Sequence, residues 1–302
     1  MTAIVSESGI DTGAPWHYGD PMREQRQLDA GTAVVDLSHR GVVSVTGPDR
    51  LSWLHSLTTQ HLERLAPGVG ITTLVLSPHG HIEHVLYGVD DGETFWAHTE
   101  PGAAPALVTW LDRMRFMMRV EVTDVTAELA TTWRPSAGHE LVPRERLAAY
   151  AEAAGPACGL WAYEALRIAR GEPRLGLDTD HRTIPNEAGW IGPAVHLDKG
   201  CYRGQETVAR VHTLGRPPRR LVRLHLDGSV DALPAADAAL ESDGRAVGFV
   251  GGSARHFELG PIALGMIKRN VPVDAPLIVD GIAASQDPLV DPEIGLHVRP
   301  QL

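Results

Sequence analysis

The sequence predicts an α+β fold followed by a small β-barrel or sandwich, and three observations carry that expectation. Residues 42–125 run in the order strand–helix–strand–strand–strand–helix–strand, which lays helices against an antiparallel sheet. Residues Gly171 to Gly204 form a long Gly/Pro-rich stretch with little periodicity, and uncovered loops of that length are usually functional. Beyond Arg216-Pro217-Pro218, short apolar runs separated by Gly, Asp and Pro turns repeat at the spacing of a barrel or sandwich.

Each element has a local cause. The first sixteen residues are small and polar, and disorder is expected there. Val42, Val43 and Val45 make a β-rich run that ends at Gly47-Pro48. Leu51, Leu54 and Leu57 then recur at helical spacing beside Trp53. Ile71–Leu76 and Ile82–Val89 read as strands around a turn at Pro78-His79-Gly80, with a further strand at Thr94–Ala97 after Asp90-Asp91-Gly92. A helix over about Ala103–Arg113 and a strand over Arg119–Val125 complete this layer. Pro143 and Gly155, then Leu160 and Gly171, bound two more helices by the Pro-early, Gly-late asymmetry. The last strands are expected at Leu221–Leu226, Ala246–Gly251, Ile262–Lys268 and Leu277–Val279.

Composition narrows the class. A chain of 302 residues with 43% apolar and 22% charged residues can bury a large core without staples. Two cysteines, Cys158 and Cys201, can form neither a disulfide framework nor four thiolate ligands to an iron–sulfur cluster from one chain. A reduced, cytoplasmic setting is expected. No apolar run reaches the length of a membrane helix, and the N-terminus lacks the pattern of a signal peptide, so no membrane role is expected. The net charge of −11 argues against bulk attraction to nucleic acid. Yet Lys199, Arg203, Arg210, Arg216, Arg219, Arg220 and Arg223 crowd one segment with only Glu206 among them, and the remainder of the chain stands at −17. That segment reads as either a solvated basic loop or a site for an anion.

The most informative stretch is Lys199-Gly200-Cys201-Tyr202-Arg203-Gly204-Gln205-Glu206. Gly200 and Gly204 bracket the cysteine, and Lys199 and Arg203 flank it closely enough to favour thiolate. Gln205 and Glu206 add hydrogen-bonding groups. Cys158, with no cation nearby in sequence, reads as structural. The run His79, His81, Glu83, His84 offers N and O ligands, but an extended strand puts His81 and Glu83 on one face and His84 on the other. No stably bound metal is expected, and the fifteen histidines read as surface composition.

The eight residues Lys199–Glu206 resemble the K-G-C-Y-x-G-Q-E box of the YgfZ family of folate-binding proteins, in the fold group of the glycine-cleavage T-protein. Val34–Ser38, Glu164–Arg170, Ile184–Glu187, Leu259–Leu264 and Lys268-Arg269 support the resemblance, which extends to about Val290. It implies a three-domain aminomethyltransferase-like fold with a central folate cavity and a C-terminal β-barrel. The expected domains are 16–41 with 126–216, then 42–125, then 217–302. It also implies tetrahydrofolate or a one-carbon derivative as cofactor, with Glu187 of Pro185-Asn186-Glu187 holding the pterin. A carboxylate is acceptor-only and can take both donors of the pterin's amino and N3–H edge. Trp190 or Tyr202 could cover the ring, Lys199, Arg203 and Gln205 lie close in sequence, and Arg223 is a candidate for the glutamate tail.

One departure stands out. Where the aminomethyltransferases carry an acidic pair, this chain has Glu83-His84. A longer arm and a lost acid weaken positioning, so Glu83 is only a candidate general base. Three functions follow: a folate-binding accessory protein supporting iron–sulfur enzymes, including tRNA-thiomodifying ones, with Cys201 as its reactive thiol; a tetrahydrofolate-dependent aminomethyl or one-carbon transferase; or a non-enzymatic scaffold that docks a cluster carrier. The implied partners are folate and iron–sulfur carriers or clients, without direct nucleic-acid contact.

Overall fold

A computed structural model describes residues 3–295, which fall into two compact units. The first unit comprises Met1–Ser77, Glu83–Leu160 and Gly192–Arg203, and the second Pro78–Ile82, Trp161–Ile191 and Gly204–Leu302. The end of the expected 217–302 segment, beyond residue 295, lies outside the described residues.

The first unit opens with β1 (Ile4–Val5) paired to β2 (Pro15–His17), then α1 (Pro21–Asp29). The expected N-terminal disorder is therefore corrected: Ala14 and Asp11 are buried, and backbone bonds such as Gly13 N–H to Ser6 O tie the stretch together. Next come β3 (Val34–Asp36), β4 (Gly41–Thr46), α2 (Arg50–Leu57), β5 (Gly70–Leu76), β6 (Ile82–Asp90), β7 (Thr94–Thr99), α3 (Ala104–Arg113) and β8 (Glu121–Asp124). Then follow β9 (Leu129–Arg134), β10 (Gly138–Pro143), α4 (Leu147–Ala154) and β11 (Ala157–Cys158).

Strands β5-β6-β7-β4-β8 form one sheet, and the order of elements across 41–124 is the one the sequence predicts. Val43, Val45, Leu86, Phe95 and Ala97 turn one face of that sheet onto Trp53, Leu54, Leu107 and Leu111 of the two helices. Gly88 is obligatory in this packing, because a Cβ there would sit 2.2 Å from the Phe95 ring. A second sheet, β10-β9-β3-β11, is built on the β9–β10 hairpin, whose turn holds Pro135. The sequence marked only a boundary at that proline.

The second unit begins with α5 (Leu160–Arg170), passes through the long loop, and resumes with α6 (Gln205–Leu214), a helix the sequence reading left inside the basic segment. It closes with β12 (Arg219–Leu226), β13 (Ala239–Ser242), β14 (Arg245–His256), β15 (Gly260–Lys268), β16 (Leu277–Val279) and β17 (Ile282–Pro288). These six strands form a closed barrel in the order β12-β15-β14-β13-β16-β17, which leaves no open edge. The barrel is filled by Val222, Leu224, Leu240, Val250, Ile267 and Leu277.

Buried ion pairs anchor the loop of the second unit. Arg167 donates to Glu164 at 2.6 Å and to Asp178 at 2.8 Å, and Arg174 donates to Glu164 at 2.9 Å. Asp178 also accepts the backbone amides of Arg174 at 2.8 Å and Gly252 at 2.7 Å. Removing one member of such a group strands the others away from water. Asp178→Ala is expected to destabilise the protein by about 3–5 kcal/mol, read as a lowered urea midpoint; an unchanged midpoint would show that the network is dispensable.

Candidate functional site

Strand alternation builds the first feature. While Leu86, Phe95 and Ala97 face the helices, Tyr87, Val89, Trp96 and His98 occupy the opposite face, with Tyr87 paired to His98 and Val89 to Trp96. That face, the start of β5 and the β9–β10 hairpin wall a cavity of about 910 Å³ within the first unit. Its lining includes Tyr87, Trp96, His98, His139 and Glu140, with backbone exposed at Gly68, Gly70 and Gly138. Tyr87 stacks on His98 with ring centroids 4.8 Å apart, and His139 lies 4.3 Å from His98 on centroids. Burial, reinforced by His139 and Arg40, holds His98 well below the usual imidazole range, so it is neutral at physiological pH. Neither ring nitrogen of His98 has a hydrogen-bond partner. Glu140 is fixed by Arg134 at 2.7 Å and by the Tyr150 hydroxyl at 2.6 Å. The histidines were read as surface composition; His98 corrects this, because the register of β6 on β7 places it inside. No local sequence signal gathers residues 87, 96, 98 and 139.

The second feature is the returning segment of the first unit. Its backbone is held by Thr59 Oγ1 donating to Ala194 O at 2.7 Å and by His196 N–H donating to Thr59 O at 3.0 Å. Cys201 is exposed at its end, whereas Cys158 is buried and its thiol is pushed up to about 12 by burial. Lys199 is buried, its ammonium donating to the His55 and Thr58 carbonyls near the end of α2, and burial lowers its pKa to about 8. Its hydrogen bonds are thus spent on backbone rather than on an anion. Tyr202 lies buried beside it, 5.0 Å from Lys199 Nζ to ring centroid. Arg203 pairs with Glu83 at 3.1 Å and lies 5.7 Å from the Trp110 ring centroid. His84, the next residue on β6, is half-buried, and burial lowers its pKa.

The third feature belongs to the second unit. Glu187 is buried, with Oε1 accepting Arg219 Nε at 2.8 Å and Oε2 accepting Arg219 Nη2 at 2.8 Å and the Ile184 amide at 3.1 Å. A carboxylate has about four acceptor positions, so a two-donor pterin edge meets an anchor that is three-quarters occupied. Arg219 also pairs with Asp180 at 2.7 Å. Burial alone would raise Asp180, but the Arg219 bonds outweigh it and leave that carboxyl well below the usual range. Trp190 is buried, and Gln205 is half-buried at the start of α6, behind Gly204 in the left-handed conformation. Arg223 donates to Ala169 O and to Asp287, both at 2.8 Å. The basic segment is in consequence largely neutralised: Glu83, Asp180, Glu187, Asp287 and Glu293, distant in sequence, pair with Arg203, Arg219, Arg223 and Arg216.

Comparison with known proteins agrees with this architecture. The crystal structure of glycine cleavage system aminomethyltransferase T from Bartonella henselae superposes with a TM-score of 0.79 at 18% identity, covering 93% of this chain and 92% of that one. The fold is that of the glycine-cleavage T-protein. Residues 11–133 match the family described as GCVT N-terminal domain, in keeping with that fold. The Arabidopsis thaliana protein named "Putative transferase At1g60990, chloroplastic" is 26% identical over 78% of this chain and 66% of its own length. Aminomethyltransferase of Mycobacterium leprae is 26% identical over 69% of this chain and 70% of its own. The chain thus aligns with about two thirds of the length of these relatives. No described helix is long and apolar enough to cross a membrane.

The two sulfurs should behave oppositely. With Ellman's reagent the native protein is expected to release one fast equivalent of thiolate, which Cys201→Ala abolishes; two equal fast thiols would contradict the burial of Cys158.

Proposed function

We propose that the chain binds a reduced folate and serves as an accessory protein to iron–sulfur enzymes, with Cys201 as its reactive thiol. The observation that carries the folate reading is the cavity of the first unit. Its volume lies in the usual range for small-molecule sites, and its Tyr87, Trp96 and His139 rings suit a long, flat ligand with two aromatic parts. Cys201 supports the accessory reading through its exposure and the eight-residue box around it. Glu187, in the second unit and not part of this cavity's lining, is a separate candidate pterin anchor, with Arg219 fixing its carboxylate plane and one acceptor position open. The tripartite division into 16–41 with 126–216, 42–125 and 217–302 is likewise proposed. The confinement of one sheet to residues 41–124 and of the barrel to 219–288 supports it.

A transferase reading is also supported by the T-protein fold. Against it stands Glu83, whose carboxylate is engaged by Arg203. A general base must be free to take a proton from the reacting group, and here Arg203 occupies the carboxylate oxygens. The cytoplasm is the proposed location, with a chloroplast-named relative as the alternative suggestion.

Calorimetry with tetrahydrofolate tests the reading. Micromolar binding is expected, weakened tenfold or more by Tyr87→Ala or Trp96→Ala if the cavity holds the ligand, and by Glu187→Ala if that carboxylate anchors it. Absence of binding to any reduced folate by a folded sample would leave the scaffold reading in its place. Cys201→Ala should bind folate normally yet fail to restore iron–sulfur enzyme activity in cells lacking the wild-type protein; full restoration would remove the thiol from the mechanism. Turnover of 5,10-methylene-tetrahydrofolate with an amine, lost in Glu83→Gln, would establish the transferase instead.

A further inference from the structure

Three imidazoles meet on the first unit, beside the segment that ends in Cys201. His55 lies in the last turn of α2, His61 and Glu63 in the turn that follows, and His196 on the returning segment. Ring centroids of His55 and His61 are 4.8 Å apart, edge to face, and those of His61 and His196 are 5.7 Å apart. Among the described residues, His55, His61 and Glu63 are the group of three or more His, Cys, Asp or Glu whose ligating atoms gather, all within 4.8 Å of one another. The run His79–His84 that drew attention in the sequence does not gather in this way. We propose that His55, His61, Glu63 and His196 form a binding site for one divalent transition-metal ion of the zinc class.

The donor set selects that class. Three imidazole nitrogens and one carboxylate oxygen suit zinc, cobalt, nickel or copper, whereas calcium and magnesium prefer all-oxygen shells. A tetrahedral ion with bonds of about 2.0–2.1 Å holds its ligands roughly 3.3 Å apart. Glu63 and His196 are exposed and His61 is half-exposed, which leaves their side chains room to turn toward a shared ion. The backbone beneath is already fixed, because His196 N–H donates to Thr59 O.

The protonation states also suit. The Leu62 amide donates to His55 Nδ1 at 3.3 Å, which keeps that nitrogen's lone pair unprotonated and turned toward the 61–63 turn. Binding would trade this long hydrogen bond for a metal bond. The Lys199 ammonium is the opposing charge, held on the His55 carbonyl, and Glu63 offsets it. An ion here would pin the segment that ends in Cys201 to the end of α2.

The test uses the full-length, untagged protein stripped with a chelator. Zinc chloride is titrated in competition with a chromophoric chelator, and cobalt binding is followed by its visible absorption. One equivalent with micromolar or tighter affinity is expected, weakened at least tenfold by His61→Ala and by His196→Ala, and unchanged in His79→Ala/His81→Ala. Zinc should raise the melting temperature of the native chain but not of His61→Ala. Both ligand variants lie at the surface, and circular dichroism verifies their folding. Sub-stoichiometric binding, or affinity that survives loss of both His61 and His196, would show an adventitious ion only and overturn the proposal. Tetrahydrofolate binding, measured on the same samples, varies independently, so failure of either reading is distinguishable from failure of the other.

Discussion

Charge taken out of water governs the second unit. Arg167 and Arg174 bridge Glu164 and Asp178 where an unpaired ion would be prohibitive, and Arg219 bridges buried Glu187 and the partly exposed Asp180. The part of the loop from Gly171 to Ile191 has almost no ladder of its own, so these guanidinium–carboxylate contacts set its course. Through Asp178 the loop also accepts the Gly252 amide at the β14 bulge, and through Glu187 it reaches the first barrel strand. Planar, two-pronged arginine pairing gives the loop a geometry that hydrophobic contact alone would leave degenerate.

Much of the fold was legible because it rests on period and punctuation. The strand–helix order across 41–124 follows from alternating valines, the Leu51–Leu57 spacing and the Gly/Asp/Pro turns. The barrel strands at 221–226, 246–251, 262–268 and 277–279 were visible for the same reason. Strands 239–242 and 282–288 were not, being poorer in β-branched residues and broken by polar ones. The β9–β10 hairpin was lost because its turn proline reads equally well as a linker, and α6 because β-branched Thr207, Val208, Val211 and Thr213 weaken its helical signal.

The chemistry was less legible than the fold, for physical reasons. The seven cations between Lys199 and Arg223 look like a field in one dimension; in three, acids from residues 83, 180, 187, 287 and 293 pair with Arg203, Arg216, Arg219 and Arg223, while Lys199 and Arg220 donate to backbone carbonyls. The prominent cysteine box could be read directly, since its residues are adjacent. The cavity could not, since strand register and the β9–β10 hairpin bring residues 87, 96, 98 and 139 together, and of the histidine cluster only His196 comes from a distant stretch. A shared T-protein fold does not settle this chain's activity, because activity resides in such sites. Glu83, the candidate general base, is engaged by Arg203.

The interleaved course of the chain bears on how the protein is made. The first unit requires Gly192–Arg203, and the second claims Pro78–Ile82 from within the stretch that otherwise builds the first. A ribosome must therefore emit two thirds of the polypeptide before the first unit has its last strap, and until then Thr59 and the α2 carbonyls wait without Ala194 and Lys199. Nascent chains halted before residue 203 should be clients for chaperones and proteases rather than early-finished domains, and neither unit can be excised as a continuous fragment.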